Sequence, residues 1–156
     1  MAEWKEIPIT DIKGFRIGHA SDEKHATGCS VIICEKQAPT GVDVRGGGPA
    51  SRETNLLDPT ASNQGIHALL LSGGSAYGLD AAGGVMKYLE EHKIGLKVGK
   101  ALVPIVCASC IFDLSCEDSH VRPDATMGYA ACVDSEANIE RNGNVGGGMG
   151  ATVGKI

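Results

Sequence analysis

Aromatic residues and positive charge are both scarce in this sequence of 156 residues. It contains two Phe, three Tyr and one Trp, and its formal net charge is −5. Nucleic-acid binding normally relies on a basic surface and on aromatic side chains that stack on bases, so nucleic acid is not an expected partner. The excess of acidic residues also disfavours binding to an anionic membrane surface.

Long apolar runs are absent as well. No segment reaches the roughly 18 consecutive apolar residues of a membrane span, so no membrane contact is expected. The first residues, MAEWKEIPITDIKG, carry charges where a signal peptide has its apolar stretch. We therefore expect a cytoplasmic protein whose six cysteines are reduced thiols rather than disulfides.

Glycine, in contrast, is abundant, with 22 residues that divide the chain into short apolar runs. Two of these runs, CSVIIC at Cys29–Cys34 and IHALLL at Ile66–Leu71, are expected to be strands buried on both faces. A helix is predicted over Tyr77–Glu91, with Gly95 as its stop, because apolar residues recur there at three- and four-residue spacing on one face. These predicted core positions are Leu79, Ala82, Val85, Met86 and Leu89. No linker composition interrupts the chain, so residues 1–156 are interpreted as a single domain.

The second half of the sequence repeats this punctuation. Leu96–Val98 and Leu102–Cys110 are expected to be extended, with Pro104 at an edge or a bulge. Asp124 is the expected N-cap of a following helix. Strands and helices in this order predict an α/β or α+β domain. The glycine-rich end of the sequence predicts that the chain continues in the intact protein or that another chain completes the fold.

Four potential soft ligands, Cys107, Cys110, Cys116 and His120, lie close together in the sequence and raise the possibility of zinc. The first two lie in an apolar run, LVPIVCASCIF, where cysteine commonly packs as a small apolar residue. We therefore expect buried thiols, no metal and no cofactor.

The turn Gly73-Gly74-Ser75-Ala76-Tyr77-Gly78 lies between a predicted strand and the predicted helix. Its backbone N–H groups could bind a carboxylate, a phosphate or an oxyanion, and Ser75 could equally be a simple N-cap. A nucleophile elbow needs glycine where Tyr77 stands, which makes Ser75 a poor nucleophile.

Two arginines lie in the loop that contains GVDVRGGGPASRET. Arg45 or Arg52 could hold a substrate carboxylate through its guanidinium group, or pair with acidic residues of the same loop. The sequence leaves both possibilities open.

Five stretches of the sequence occur together in a recognisable order: GVDVRGGGPASRETNLLDP, HALLLSGGSAYGLDAAGGVMKYLEE, VPIVCASCIFDL, VRPDATMGYAAC and GNVGGGMGATVGK. Together they resemble the L-aminopeptidase/D-esterase family, which includes β-peptidyl aminopeptidases and nylon-oligomer endo-hydrolases. The resemblance implies an α-β-β-α sandwich like that of N-terminal-nucleophile hydrolases. It also implies a precursor that cuts itself and thereby frees a Ser or Thr nucleophile at the start of a second chain.

The resemblance also assigns roles to individual residues. Tyr77 matches a tyrosine that lines the family's active site, and Asn144 matches the asparagine thought to donate to the oxyanion. Gly73 and Gly74 are expected to shape the same substrate pocket, with Ser75 beside them. His120 stands where members often have lysine, and Cys107 where they often have proline, so either residue could change substrate choice or cleavage.

The resemblance places the family's nucleophile beyond GNVGGG, outside this sequence. The chain is therefore expected to be an N-terminal, α-chain-like part that needs a missing C-terminal half. On its own it is expected to be inactive, to expose sheet edges or one bare sheet face, and to form homo-oligomers. The implied substrates are small peptides, amides or esters. A non-catalytic module that binds a small anion and a serine hydrolase that uses Ser75 remain as alternatives.

Overall fold

The computed structural model describes residues 4–63 and 65–154, so the first three residues and Lys155 of the last motif lie outside it. Its regular elements are strands β1 (Phe15–Asp22), β2 (Thr27–Ala38), β3 (Ser51–Arg52), β4 (Ile66–Ser72), β5 (Leu96–Val98), β6 (Ala101–Val103) and β7 (Val106–Cys110), with helices α1 (Ala81–Glu91) and α2 (Ala125–Asp134). Short 3₁₀ turns occur at Ile9–Asp11, Thr54–Leu57, Ser75–Asp80 and Gly146–Gly148. Mixed strands and helices confirm the predicted α+β class.

The main sheet has five strands in the order β1-β2-β4-β7-β3. The β4 and β7 pair is parallel and the other pairs are antiparallel. β5 and β6 form a separate two-stranded ribbon. The extended segment is interrupted between β6 and β7 at Pro104, as expected of a residue that cannot donate to a strand ladder.

The hydrophobic core lies between one face of the sheet and the two helices. Every second residue of β2 and β4 points into it, and Val31, Ile33 and Leu70 are fully buried there. The helices contribute Val85, Leu89 and other small or apolar residues to the same cluster. The predicted core face of the first helix is thereby confirmed.

The other face of the sheet, which we call the open face, is only partly covered. It carries Phe15, Ile17, His19 and Ser21 from β1, Ser30 and Ile32 from β2, and Leu69 and Leu71 from β4, because strand residues alternate between faces. Leu71 is 44% exposed and Phe15 37% exposed. The prediction that these strands are buried on both faces is therefore wrong, since both described α-helices pack on the same face.

The edges of the sheet, in contrast, are protected. The outward N–H groups of Ile17 and His19 on edge strand β1 donate to the side chains of Asn138 and Asp134, at 3.1 Å and 2.9 Å. The opposite edge strand, β3, has only two residues. Satisfied N–H groups on β1 and the shortness of β3 both discourage pairing of the main sheet with another chain. Of the expected exposed edges or bare face, the main sheet shows the partly covered open face.

The first helix begins and ends differently from the prediction. Residues Ser75–Asp80 form a 3₁₀ turn, and the α-helix begins only at Ala81. At the other end Lys93, not Gly95, adopts the left-handed conformation, with φ of 61°. The N–H groups of Lys93 and Ile94 donate to the carbonyls of Glu90 and Leu89, which is a Schellman motif.

The second helix begins as predicted, because the Asp124 side chain accepts a hydrogen bond from the N–H of Met127 at 2.9 Å. The two helices cross in backbone contact at Gly84 and Gly128, where an added Cβ would overlap the carbonyl oxygens of Ala125 and Ala81. The helices have 11 and 10 residues, and within residues 4–63 and 65–154 no helix is long and apolar enough to cross a bilayer.

Candidate functional site

The glycine turn that follows β4 lies at the end of the sheet where β4 and β7 both finish. Gly74 and Ser75 both have positive φ, 79° and 53°. Two left-handed residues in succession are rare outside glycine, so the surrounding hydrogen bonds must hold this turn. The N–H groups of Gly73 and Ser75 donate to the carbonyls of Gly28 and Ile111, at 2.8 Å and 2.9 Å.

The N–H of Gly74 donates to the carboxylate of Asp113 at 2.6 Å. Asp113 is 4% exposed, and its other oxygen accepts a hydrogen bond from the Thr27 hydroxyl at 2.7 Å. The turn therefore does bind an anion, as its sequence indicates, but that anion is the protein's own side chain. Asp113 was not among the predicted site residues, although an acidic residue three positions after the predicted extended segment Leu102–Cys110 was an available signal.

Ser75 does not cap a helix. The position before the 3₁₀ turn is Gly74, and neither this turn nor α1 has a side-chain cap. The N-cap interpretation is therefore wrong. The reason is that Ser75 belongs to the left-handed bend itself, which directs its N–H to Ile111 rather than leaving it at a helix start.

Within residues 4–63 and 65–154, no hydrogen bond joins the Ser75 hydroxyl to a histidine of the kind that activates a serine nucleophile. The Nδ1 atoms of four histidines bond elsewhere: that of His19 to Ser30, of His25 to Asp22, of His67 to the N–H of Ile105 and of His92 to the Tyr88 carbonyl. The fifth, His120, lies in an exposed loop. A Ser-His hydrogen bond does occur in the structure, but it joins Ser30 and His19.

Tyr77 extends from the same turn into solvent and is 60% exposed. The guanidinium carbon of Arg122 lies 3.8 Å from the centre of its ring, a cation–π contact that orients the ring. Tyr77, Arg122 and His120 line one cleft together with Asp80 and Asp124. The structure thus brings two of the predicted site residues, Tyr77 and His120, together.

The segment that contains Asn144 crosses the polar end of the open face. The N–H of Gly146 donates to the Ser21 hydroxyl at 2.7 Å, and that of Gly147 to the Ser30 hydroxyl at 3.0 Å. An added Cβ at Gly147 would lie 2.7 Å from the carbonyl oxygen of Leu71, so glycine is required for this close approach. Asn144 itself is exposed.

This segment continues towards the glycine turn. At Gly150 an added Cβ would lie 2.8 Å from the Cβ of Asp113, the residue that binds the turn. The Cys116 thiol donates to the Gly150 carbonyl at 3.3 Å. The elements that carry Tyr77 and Asn144 therefore meet at one end of the sheet, with Asp113 between them.

Arg45 lies in a different cleft, lined also by Val42, Ser51 and Ser109. Its guanidinium pairs with the Asp43 carboxylate at 2.7 Å, and both side chains are exposed. Of the two possibilities for this loop, internal pairing is the arrangement that the structure contains. Arg52 instead points a nitrogen at the sulfur of Met86, 3.0 Å away.

The cysteines are unpaired thiols, several of them in the core. Burial raises the pKa of Cys29 and of Cys132 to about 12, so both stay protonated at neutral pH. Cys107 and Cys110 are three residues apart on β7, so their side chains point to opposite faces of the sheet. Across residues 4–63 and 65–154, no three His, Cys, Asp or Glu side chains are grouped to hold a metal.

Comparison with known proteins identifies the family. The profile described as "Peptidase family S58" matches residues 8–156. The chain belongs to this family. Among curated proteins, this S58 chain is 44% identical over 163 residues to an uncharacterized aminopeptidase of Mycobacterium leprae, covering 95% of the chain and 45% of that protein. It is 34% identical to a 6-aminohexanoate-oligomer endohydrolase of Agromyces sp., covering 97% and 40%.

The fold of this S58 chain also matches a solved structure. The L-aminopeptidase D-Ala-esterase/amidase of Ochrobactrum anthropi superposes with a TM-score of 0.69 at 15% identity, over 93% of this chain and 44% of that one. That structure is described as a variant of the Ntn hydrolase fold, so the predicted likeness in fold to N-terminal-nucleophile hydrolases is confirmed. The chain spans about half the length of the relatives it matches or less.

Proposed function

We propose that this chain is the α-chain-like portion, a single domain over residues 1–156, of a hydrolase that cleaves amide bonds. Its substrates would be small peptides, amino-acid amides or esters, or ω-amino-acid oligomers. The Ser or Thr nucleophile would lie outside this chain and be freed by self-cleavage of a longer precursor. Family membership and the length of the relatives support this proposal.

One observation carries the proposal: the elements bearing Tyr77 and Asn144 meet at the same end of the sheet. In the proposed site the Asn144 amide donates to the tetrahedral oxyanion, and Tyr77 lies beside the reacting carbonyl. The free α-amine of the new chain would act as the base, since its pKa of about 7.7–8.0 lets it accept the hydroxyl proton at neutral pH.

The other predicted site residues receive more limited roles. Gly73, Gly74 and Ser75 shape the turn that presents Tyr77, because their N–H groups are already bonded within the protein. His120 lines the Tyr77 cleft and is the proposed substrate contact from the facing loop. Arg45 could contact a substrate carboxylate only after leaving its pairing with Asp43.

The proposed partner is the remaining half of the hydrolase, seated on the open face. The apolar residues Phe15, Ile17, Ile32 and Leu71 of that face leave a surface that a second sheet could cover, as in a sandwich. Without that half, we propose that the chain self-associates through this face. A cytoplasmic location is proposed as well, because free thiols are typical of reducing compartments.

The test is amide hydrolysis by the full-length precursor, followed with an amino-acid p-nitroanilide. We expect two chains by intact mass, the second beginning with Ser or Thr. Asn144→Ala should lower kcat by about 10² to 10³-fold, because an oxyanion donor is lost. Asn142→Ala, an exposed asparagine two residues away, is the matched control and should leave kcat unchanged.

A similar pair tests Tyr77. Tyr77→Phe should reduce turnover, whereas Tyr129→Phe, whose hydroxyl bonds Glu91 on the helix side, should not. The proposal is wrong if the precursor stays a single chain without activity, or if Asn144→Ala and Asn142→Ala behave alike. Turnover that Ser75→Ala abolishes would instead favour a serine hydrolase. Saturable anion binding without turnover would favour a binding module.

A further inference from the structure

Three side chains outside the proposed catalytic groups converge on the segment that carries Asn144. On the open face His19 and Ser30 are directly opposite each other in the register of β1 and β2. The Nδ1 atom of His19 lies 2.8 Å from the Ser30 hydroxyl oxygen. The same oxygen accepts the N–H of Gly147, and the Ser21 hydroxyl accepts that of Gly146.

The direction of this chain of hydrogen bonds follows from counting donors. Ser30 has one O–H to donate, and its oxygen is already an acceptor for Gly147. A neutral imidazole that carries its proton on Nε2 is the tautomer that gives the Ser30 O–H an acceptor, and we assign it here. The Ser30 O–H then donates to the lone pair of Nδ1, and the three groups form one continuous chain. Such chains strengthen their members because each bond polarises the next.

Protonation of His19 removes the acceptor on which this chain of hydrogen bonds depends. The Nδ1 atom then carries a hydrogen and has no lone pair, so the half-buried Ser30 O–H loses its acceptor. Either the ring turns away or Ser30 must accept two hydrogen bonds while its own hydrogen is unpaired. In the first case Ser30 loses the polarisation that the bond to His19 supplied, and in the second case two donors share its oxygen, so the bond to the Gly147 N–H is weaker in both.

We propose that Ser30 and His19 form a pH-sensitive clasp that positions the Asn144 segment, while Ser21 holds the same segment without pH sensitivity. The proposal rests on the proposed function for its catalytic consequence. Both serines are positioning residues, because they bind backbone on either side of the bend at Gly146, whose φ is 54°. An added Cβ at Gly146 would lie 2.9 Å from the His19 ring, which shows how closely the segment lies on the clasp.

The charged groups around His19 set the pH at which the clasp opens. Burial, and then the positive charge of Arg141, lower the pKa of His19, while the Asp134 carboxylate at the end of α2 opposes them. Asp134 also accepts the backbone N–H of His19. The imidazole is therefore neutral at physiological pH and the clasp is closed there. It opens only as the pH falls through the lowered pKa of His19, which lies below the ordinary histidine value of about 6.5.

The experiment uses the full-length protein and two readouts. The first is amide hydrogen exchange at Gly146 and Gly147 between about pH 5 and 8, corrected for intrinsic exchange rates; the second is the kcat profile over the same range. In Ser30→Ala we expect faster exchange at Gly147 and a kcat about tenfold lower, with KM little changed. In Ser21→Ala we expect faster exchange at Gly146 with an unaltered pH dependence.

The variant His19→Asn distinguishes the effect of His19 protonation from a general loss of structure. An Asn oxygen can accept the Ser30 O–H near the place of Nδ1 but does not titrate, so this variant should keep the wild-type kcat at neutral pH. As the pH falls through the lowered pKa of His19, this variant should retain slow exchange at Gly147, whereas the wild type should not. Ser62→Ala, an exposed serine far from the segment, should behave as wild type throughout.

Two results would overturn the clasp. One is exchange at Gly147 that does not respond to Ser30→Ala or to pH. The other is complete loss of turnover in Ser30→Ala with exchange unchanged, which would make Ser30 a reactive group instead of an anchor. A wild-type protein with no amide hydrolysis contradicts the proposed function, but hydrogen exchange then still decides whether the clasp exists.

Discussion

The crossing of α1 and α2 gives a sharp prediction, because two adjacent glycines of α1 have opposite surroundings. A Cβ at Gly84 would overlap the Ala125 carbonyl oxygen and lie 2.7 Å from the Tyr129 nitrogen, whereas ordinary contact begins at 3.4 Å. A Cβ at Gly83 would meet only the Cβ of Ala125, at 4.0 Å. Gly84→Ala must therefore push the helices apart, and Gly83→Ala need move nothing.

The magnitudes follow from this difference. Replacing a glycine in a helix interior by alanine adds about 1 kcal/mol of helix propensity, and both variants share this gain. Overpacking typically costs about 1–3 kcal/mol, and the upper end applies at Gly84 because its neighbours are helix backbone that cannot rotate away. We expect Gly83→Ala to be about 1 kcal/mol more stable than wild type and Gly84→Ala about 2 kcal/mol less stable.

The assay is urea unfolding of the purified protein, followed by circular dichroism at about 25 °C. The difference between the two variants cancels the shared propensity and isolates the steric effect. If Gly84→Ala proves as stable as Gly83→Ala at equal m-value, the helices are not in backbone contact and the packing argument is refuted.

Two further perturbations test local features of the fold. Lys93→Gly should raise the free energy of unfolding by about 1 kcal/mol, because glycine removes the cost of a left-handed φ at the Schellman position, while Lys93→Ala should have little effect in the same urea assay. The Arg141 guanidinium lowers the pKa of Asp134, so the stability that Asp134 contributes is present above the ordinary Asp pKa of about 3.9 and is lost as the pH falls through the lowered value. Asp134→Asn should therefore be less stable than wild type near pH 7, with a gap that closes below about pH 4; thermal unfolding across this range checks it, and a gap independent of pH would contradict it.

Local patterns were sufficient for much of the fold. The apolar runs at Cys29–Cys34 and Ile66–Leu71 are strands, and Asp124 caps its helix, because short-range chemistry decides these features. The pattern was insufficient where a tertiary contact overrides it. Tyr88 was not among the predicted core positions, yet it is buried, with its ring stacked on His92 and its hydroxyl bonded to Glu136.

The candidate site was harder to predict from sequence than the fold. Its anion-binding chemistry was predictable from the sequence, since the glycine turn does bind a carboxylate. The identity of that carboxylate could not be predicted, because Thr27 and Asp113 are 86 positions apart and only the folded sheet brings them together. The link from Ser30 to Gly147 spans 117 positions and is equally invisible in the sequence. The roles of Tyr77 and Asn144 stay predictions.

The side chains of Asn138 and Asp134 that bond the outer edge of β1 also affect how readily the protein can form fibres. Fibres grow by adding strand to strand, and each added strand contributes a full ladder of backbone bonds that is slow to dissolve. On β1 the outward N–H groups of Ile17 and His19 are already bonded to side chains, so this edge offers fewer free backbone groups to an added strand. We therefore expect this edge to resist the growth of such fibres, even where the open face brings two molecules together.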